Sequence, residues 1–126
     1  MSNDQILDSG LRILVVDDSD LVLHLVERML RQSQVILTAA EDGVEAVYKA
    51  ATRRLDIVLM DLNLPNMDGK TAANEIRKLQ PNLPIIALSG EDSAPDTFDG
   101  FVQKPVKSEE LHKVILSVLR RNQIQS

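Results

Sequence analysis

Three aspartates, a serine and a lysine stand in this 126-residue chain where side chains of their kind can act together. Asp17 and Asp18 follow the apolar run Ile13 to Val16, Asp61 follows Ile57 to Met60, Ser89 ends the run that begins at Pro84, and Lys104 follows Phe101 to Gln103. Carboxylates gathered in a partly desolvated place repel one another, so they either take up protons with raised pKa values or hold a cation. Oxygen ligands alone select a hard ion, and Mg²⁺ suits one or two carboxylates with room left for phosphate oxygens, whereas Zn²⁺ would favour His or Cys. A serine hydroxyl and a lysine ammonium beside such an ion would complete a pocket for a tetrahedral anion. Taken singly, Asp61 is the first residue of a loop, Ser89 a strand end and Lys104 a solvated charge; the chemistry depends on their being brought together.

Each of these residues ends a short apolar run, and that is the clue to what positions them. Ile13 to Val16 and Ile57 to Met60 are unbroken and rich in branched side chains, the pattern of parallel strands covered on both faces. Val35 to Ala40, Pro84 to Ser89 and Phe101 to Gln103 read as three further strands. Helical spacing lies between them: Val22, Leu25, Val26 and Met29 from Asp20 to Gln32, capped by Ser19; Val44, Val47, Tyr48 and Ala51 after the Asp42/Glu45 capping pair; Ala72, Ala73, Ile76 and Leu79, stopped by Pro81 and Pro84. The clearest stripe is the last, Leu111, Val114, Ile115, Val118 and Leu119 behind a Ser108 cap. Alternating strands and helices predict an α/β fold, a doubly wound five-stranded parallel sheet of flavodoxin-like order 2-1-3-4-5. Ligands of such sheets bind beyond the carboxyl ends of the strands, and in this order the ends carrying Asp17/Asp18, Asp61 and Ser89 are consecutive, with Lys104 at the edge.

Composition narrows the function classes. The length suits one domain, which we place at residues 11–122 between a flexible lead (1–10) and a frayed tail (123–126). The net charge of −5 and only three aromatics, Tyr48, Phe98 and Phe101, argue against binding nucleic acid directly. No cysteine is present, no apolar run approaches a membrane span and the N-terminus is acidic, so a cytoplasmic protein with no membrane contact is expected. His24 and His112 fall within helical segments and read as surface residues, not ligands.

The stretches LVVDDS (Leu14 to Ser19), LMDLNLPNMDG around Asp61, ALSG (Ala87 to Gly90) and FVQKP (Phe101 to Pro105) together make the chain, from about Leu11 to Arg121, similar to the receiver domain of two-component response regulators, of the chemotaxis-regulator kind. The resemblance implies that Asp61 is the phosphoryl acceptor, attacking a phosphohistidine on a histidine kinase or a histidine phosphotransfer protein. It implies Mg²⁺ ligation by Asp18, Asp61 and the carbonyl of Asn63, with Asp17 acting through a bound water. Ser89 would donate to the new phosphate, Lys104 would pair with it, the Lys104–Pro105 bond would be cis, and Phe101 would swing inward as a switch when Ser89 shifts. A downstream effector protein or domain would read the change.

One segment departs from the family. Receiver domains place a helix between the fourth and fifth strands, and here only the eleven residues of Gly90 to Gly100 are available, with Pro95 among them. We therefore expect a shortened or missing fourth helix, a mobile loop without a packed apolar stripe, and a partner surface shifted toward Ser108 to Asn122, where Leu116 would be exposed. The leading reading is a signalling module that catalyses only its own phosphorylation and dephosphorylation. A Mg²⁺-dependent phosphatase with an Asp nucleophile is one rival, although Asn63 stands where such enzymes carry a second acid; a receiver-like module working without phosphorylation is another.

Overall fold

The computed structural model describes Leu7 and residues 10–125, with side chains through Arg121. Five strands, β1 (Arg12–Val16), β2 (Ile36–Ala40), β3 (Ile57–Asp61), β4 (Ile85–Ser89) and β5 (Gly100–Gln103), form one parallel sheet in the order β2-β1-β3-β4-β5. Four helices cross over between or after them: α1 (Asp20–Leu30), α2 (Gly43–Thr52), α3 (Gly69–Leu79) and α4 (Ser108–Gln125). A 3₁₀ turn, Arg31–Ser33, finishes α1. None of these helices is long and apolar enough to cross a membrane.

The unbroken apolar runs are explained by burial on both faces. Leu14, Val16, Val58, Met60, Ile85 and Ala87 pack with Ala46, Ala50, Ala72, Ala73 and Ile76 of α2 and α3. Their neighbours Ile13, Val15, Ile57, Leu59, Ile86, Leu88 and Val102 pack on the opposite face with Val26, Leu30, Leu111, Ile115 and Val118 of α1 and α4. Alternation along a strand sends successive side chains to opposite faces, so two covered faces require apolar residues at every position. Side-chain caps start α1, α2 and α3: Val22 N–H donates to Ser19 Oγ (3.3 Å), Glu45 N–H to Asp42 (2.7 Å) and Thr71 N–H to Asp68 (2.8 Å). Such caps contribute about 1 kcal/mol each. The returning arm of the α2 box differs from the usual one, since the Glu45 carboxylate accepts from Glu41 N–H.

Several expected faces are corrected. In α2 the inner residues are Gly43, Ala46 and Ala50, with Val47 half-buried, while Val44, Tyr48 and Ala51 face out. Close approach selects small residues there: a Cβ on Gly43 would lie 2.5 Å from the Met67 carbonyl oxygen. Leu79 is half exposed at the end of α3, and Leu25 is exposed on α1. His112 is buried, not on the surface, its Nδ1 bonded to the Ser108 carbonyl at 2.7 Å. Leu116 is half-buried against the α1/α4 core, so the expected exposure fails. The backbone of α4 stays helical to Gln125, past Asn122. Within the expected lead, Leu7 is buried and donates its N–H to Ser33 Oγ (3.0 Å), and Gly10 N–H reaches the Gln34 carbonyl (3.1 Å), so these two residues belong to the packed domain. Residues 1–6, 8 and 9 and Ser126 lie outside the described residues.

Between β4 and β5 there is no helix. The loop carries no apolar stripe, but it does pack a single large apolar residue, which was not singled out from the sequence. Phe98 is buried in the α2/α3 core, with Ala94 and Phe101 against the same cluster. The Arg77 guanidinium lies 5.6 Å from the centre of the Phe98 ring. Asp99 ties the loop end down: its N–H bonds to the Ile85 carbonyl (2.8 Å), its carboxylate accepts from Ile85 N–H (2.7 Å) and pairs with Arg77 (3.4 Å), and its carbonyl accepts from Arg121 (2.6 Å).

Candidate functional site

Sheet register brings the expected residues to one rim. Val16 is level with Met60, so Asp17 and Asp61 follow at the same height, and Asp61 is level with Leu88, one residue before Ser89. Ser89 is level with Gln103, and the next residue, Lys104, donates its N–H to the Ser89 carbonyl at 2.7 Å. Asp17 and Asp61 are buried while Asp18 is exposed, and the three offer carboxylate oxygens all within 4.8 Å of one another. Asp17 Oδ1 accepts from Ser19 N–H (2.9 Å) and Asp61 Oδ1 from Asn63 N–H (3.0 Å), which turns the other oxygens toward the shared space.

The Lys104 ammonium enters that space, 2.8 Å from Asp17 Oδ2 and 3.4 Å from Asp61 Oδ2. One cation among three acids leaves a surplus of negative charge, and the donors are all oxygen; the set fits a hard divalent ion. Burial pushes the Asp61 carboxyl above its ordinary value, the Asn63 N–H and Lys104 partly opposing this and the Asp17 charge adding to it. Burial alone would lower Lys104, but its hydrogen bond and charge contact with Asp17, together with Asp61, hold it above the ordinary lysine value. It therefore stays an ammonium at neutral pH.

The loop behind Asp61 is fixed by its own turn chemistry. Asn66 takes a left-handed φ of 68°, and Gly69 N–H returns to the Leu62 carbonyl (3.2 Å). A Cβ at Gly69 would lie 2.1 Å from the Asp61 carbonyl oxygen, so only glycine lets α3 start this close to the strand end. Ser89 is buried, and its Oγ accepts from Glu91 N–H at 3.0 Å. The Glu91 amide was not read from the sequence; a Ser two residues ahead in a turn is the local signal for it. Phe101 is half-buried on β5, and the Lys104–Pro105 bond is cis. Asp17, Asp18, Asp61, Ser89 and Lys104 thus share one rim, with Asn63 joined to Asp61 through its backbone N–H, while Phe101 lies two residues back on β5, level with Ala87.

Comparison with known proteins bears on this arrangement. A family model described as the response regulator receiver domain matches residues 13–116. The chain is 31% identical over 120 residues to the alkaline phosphatase synthesis transcriptional regulatory protein PhoP of Bacillus subtilis, and 34% identical over 130 residues to the autoinducer 1 sensor kinase/phosphatase LuxN of Vibrio campbellii. These alignments cover 90% and 98% of this chain but only 50% and 15% of the relatives, so the chain spans half or less of their length. Among solved structures, the receiver domain of the sensor histidine kinase PA1611 from Pseudomonas aeruginosa is 35% identical, with a TM-score of 0.78, covering 86% of this chain and 96% of that one; a magnesium ion is coordinated in its active-site cleft. A CheY-like receiver domain protein from Methanospirillum hungatei is 25% identical with a TM-score of 0.85, covering 94% and 100%. The order of strands, the acidic rim and a family match across most of the chain agree, and the chain belongs to the response regulator receiver domains of two-component systems.

Proposed function

We propose that this receiver domain is switched by phosphorylation of Asp61. The observation that carries the proposal is the placement of Lys104 Nζ against both Asp17 and Asp61, with Asp18 completing a three-acid cluster at the same rim. An Asp61 oxygen attacks the phosphorus of a phosphohistidine on a histidine kinase or phosphotransfer protein. The oxygen–phosphorus bond forms as the phosphorus–nitrogen bond breaks, and the electron pair returns to the imidazole. Asp18, Asp61, the Asn63 carbonyl and, through water, Asp17 would hold Mg²⁺, which when bound offsets negative charge gathering on the phosphoryl oxygens.

Lys104 exchanges part of its pairing with Asp61 for a phosphoryl oxygen, and Ser89 donates its hydroxyl hydrogen to another. That movement draws on the Ser89 Oγ contact with Glu91 N–H, and Phe101 swings inward behind it, altering the surface that a downstream effector reads. The domain takes in Leu7 and Gly10 besides residues 11–122, acts in the cytoplasm, and turns over no substrate besides its own phosphoryl group. The PA1611 receiver, with its coordinated magnesium, supports the choice of cation.

Incubation with a small acyl phosphate and Mg²⁺, followed by intact-mass analysis, tests the reading. One phosphoryl group is expected on the wild type and none on Asp61→Asn. An equal adduct on the variant removes Asp61 from the role.

A further inference from the structure

The outward side of α2 carries an apolar stripe that the fold leaves uncovered. Val44 is 55% and Tyr48 66% exposed, and Ala51 is exposed in the following turn, the i, i+4, i+7 spacing of one helix face. Charge is segregated along the same helix. Glu41 lies just before its N-terminus and Arg53 and Arg54 at its C-terminus; all three are exposed, and none has an ion-pair partner among the described residues. Among the described residues the one ion pair on α2, Lys49 with Glu45, lies within the helix.

We propose that this face pairs with the same face of a second copy of the chain, the two α2 helices running antiparallel across a two-fold axis. An isologous contact requires a patch complementary to itself, and this one meets the requirement. Setting Val44 opposite the partner copy's Ala51 places a large residue against a small one, and the antiparallel sense brings Glu41, just before the helix, toward the end where Arg53 and Arg54 follow it. That alignment is centred between Val47 and Tyr48, so the two Tyr48 rings flank the axis, where an aromatic contributes most to an interface. Opposed helix dipoles favour the antiparallel sense, whereas a parallel pair would set like charges side by side. An unrelated partner would not call for this symmetry about the middle of α2. The face is small against the roughly 1,000 Å² expected of a stable interface, so the dimer is weak and depends on concentration.

Sedimentation velocity of the unphosphorylated protein from micromolar to millimolar concentration tests the inference, and it needs no phosphoryl chemistry, so it stands or falls apart from the role of Asp61. The sedimentation coefficient is expected to rise with concentration. Tyr48→Glu, at an exposed position and checked by its melting curve, is expected to stay monomeric throughout. Glu41→Arg and Arg54→Glu should each weaken association several-fold, and the two together should restore it. A wild type monomeric over the whole range, a dimer indifferent to Tyr48→Glu, or a double variant no tighter than its single parents would each overturn the proposal.

Discussion

Asp61 is the acid whose surroundings least suit a permanent charge. Because burial raises its pKa in the folded chain, ionisation costs more folded than unfolded. The stability tied to it is full below the unfolded value, about 4, and is lost as pH climbs through the raised folded value. Asn in its place keeps an oxygen for the Asn63 N–H and removes the charge, while Lys104 retains Asp17. In a Mg²⁺-free buffer at pH 7, Asp61→Asn should therefore melt higher than wild type by about 3 °C or more, and the gap should close toward pH 4. A variant less stable than wild type at pH 7 would mean that the Lys104 contact outweighs desolvation. Lys104→Met should act in the opposite direction, because it leaves the fully buried Asp17 without its cation; melting curves should show a loss of about 1–3 kcal/mol without Mg²⁺ and less with it. These residues were legible in the sequence because polar side chains that end apolar runs stand out. The Glu91 amide that holds Ser89 was not, since the donor is backbone and its one local signal is a Ser two residues ahead in a turn.

At the scale of elements, all five strands and four helices follow from apolar periodicity and caps, and the missing helix follows from chain length. What periodicity misjudged was which way α2 faces. Val44, Tyr48 and Ala51 have the helical spacing of an inner face, but a helix seated against the Met67 carbonyl buries Gly43, Ala46 and Ala50 instead, so size decided the face over hydrophobicity. The β4–β5 loop taught the same lesson in reverse. A lone Phe98 has no period to reveal it, yet it fills the core where a helix is absent, and Asp99 fastens the loop beside it. Phe98→Ala should cost about 3 kcal/mol in urea denaturation, while Asp92→Ala, on an exposed residue, should stay within about 0.5 kcal/mol. Hydrogen exchange adds a finer check. The Phe98 and Asp99 amides, bonded to Pro95 and Ile85, should exchange slowly while that of Gly90 exchanges fast; uniformly fast exchange from Gly90 to Asp99 would show the anchor to be ineffective.

For the whole molecule, folding gathers three carboxylates at one rim, so if they hold Mg²⁺ as proposed, the ion should raise the melting temperature at constant ionic strength. Asp18→Ala should reduce that rise, because Asp18 is the exposed member of the triad and the one readiest to meet an incoming ion. Equal rises in the two proteins would remove it from the site. The parallel order could be read from the sequence, and with it the meeting of strands that lie far apart in the chain; the distances within the site could not, since register and rotamers set them. The account rests on which acid takes the phosphoryl group, and borohydride reduction of the phosphorylated protein followed by peptide mapping tests this most directly. An acyl phosphate on an aspartate is reduced to homoserine, and the account predicts that conversion at position 61 alone. Homoserine at 17 or 18, with Asp61 unchanged, would contradict it.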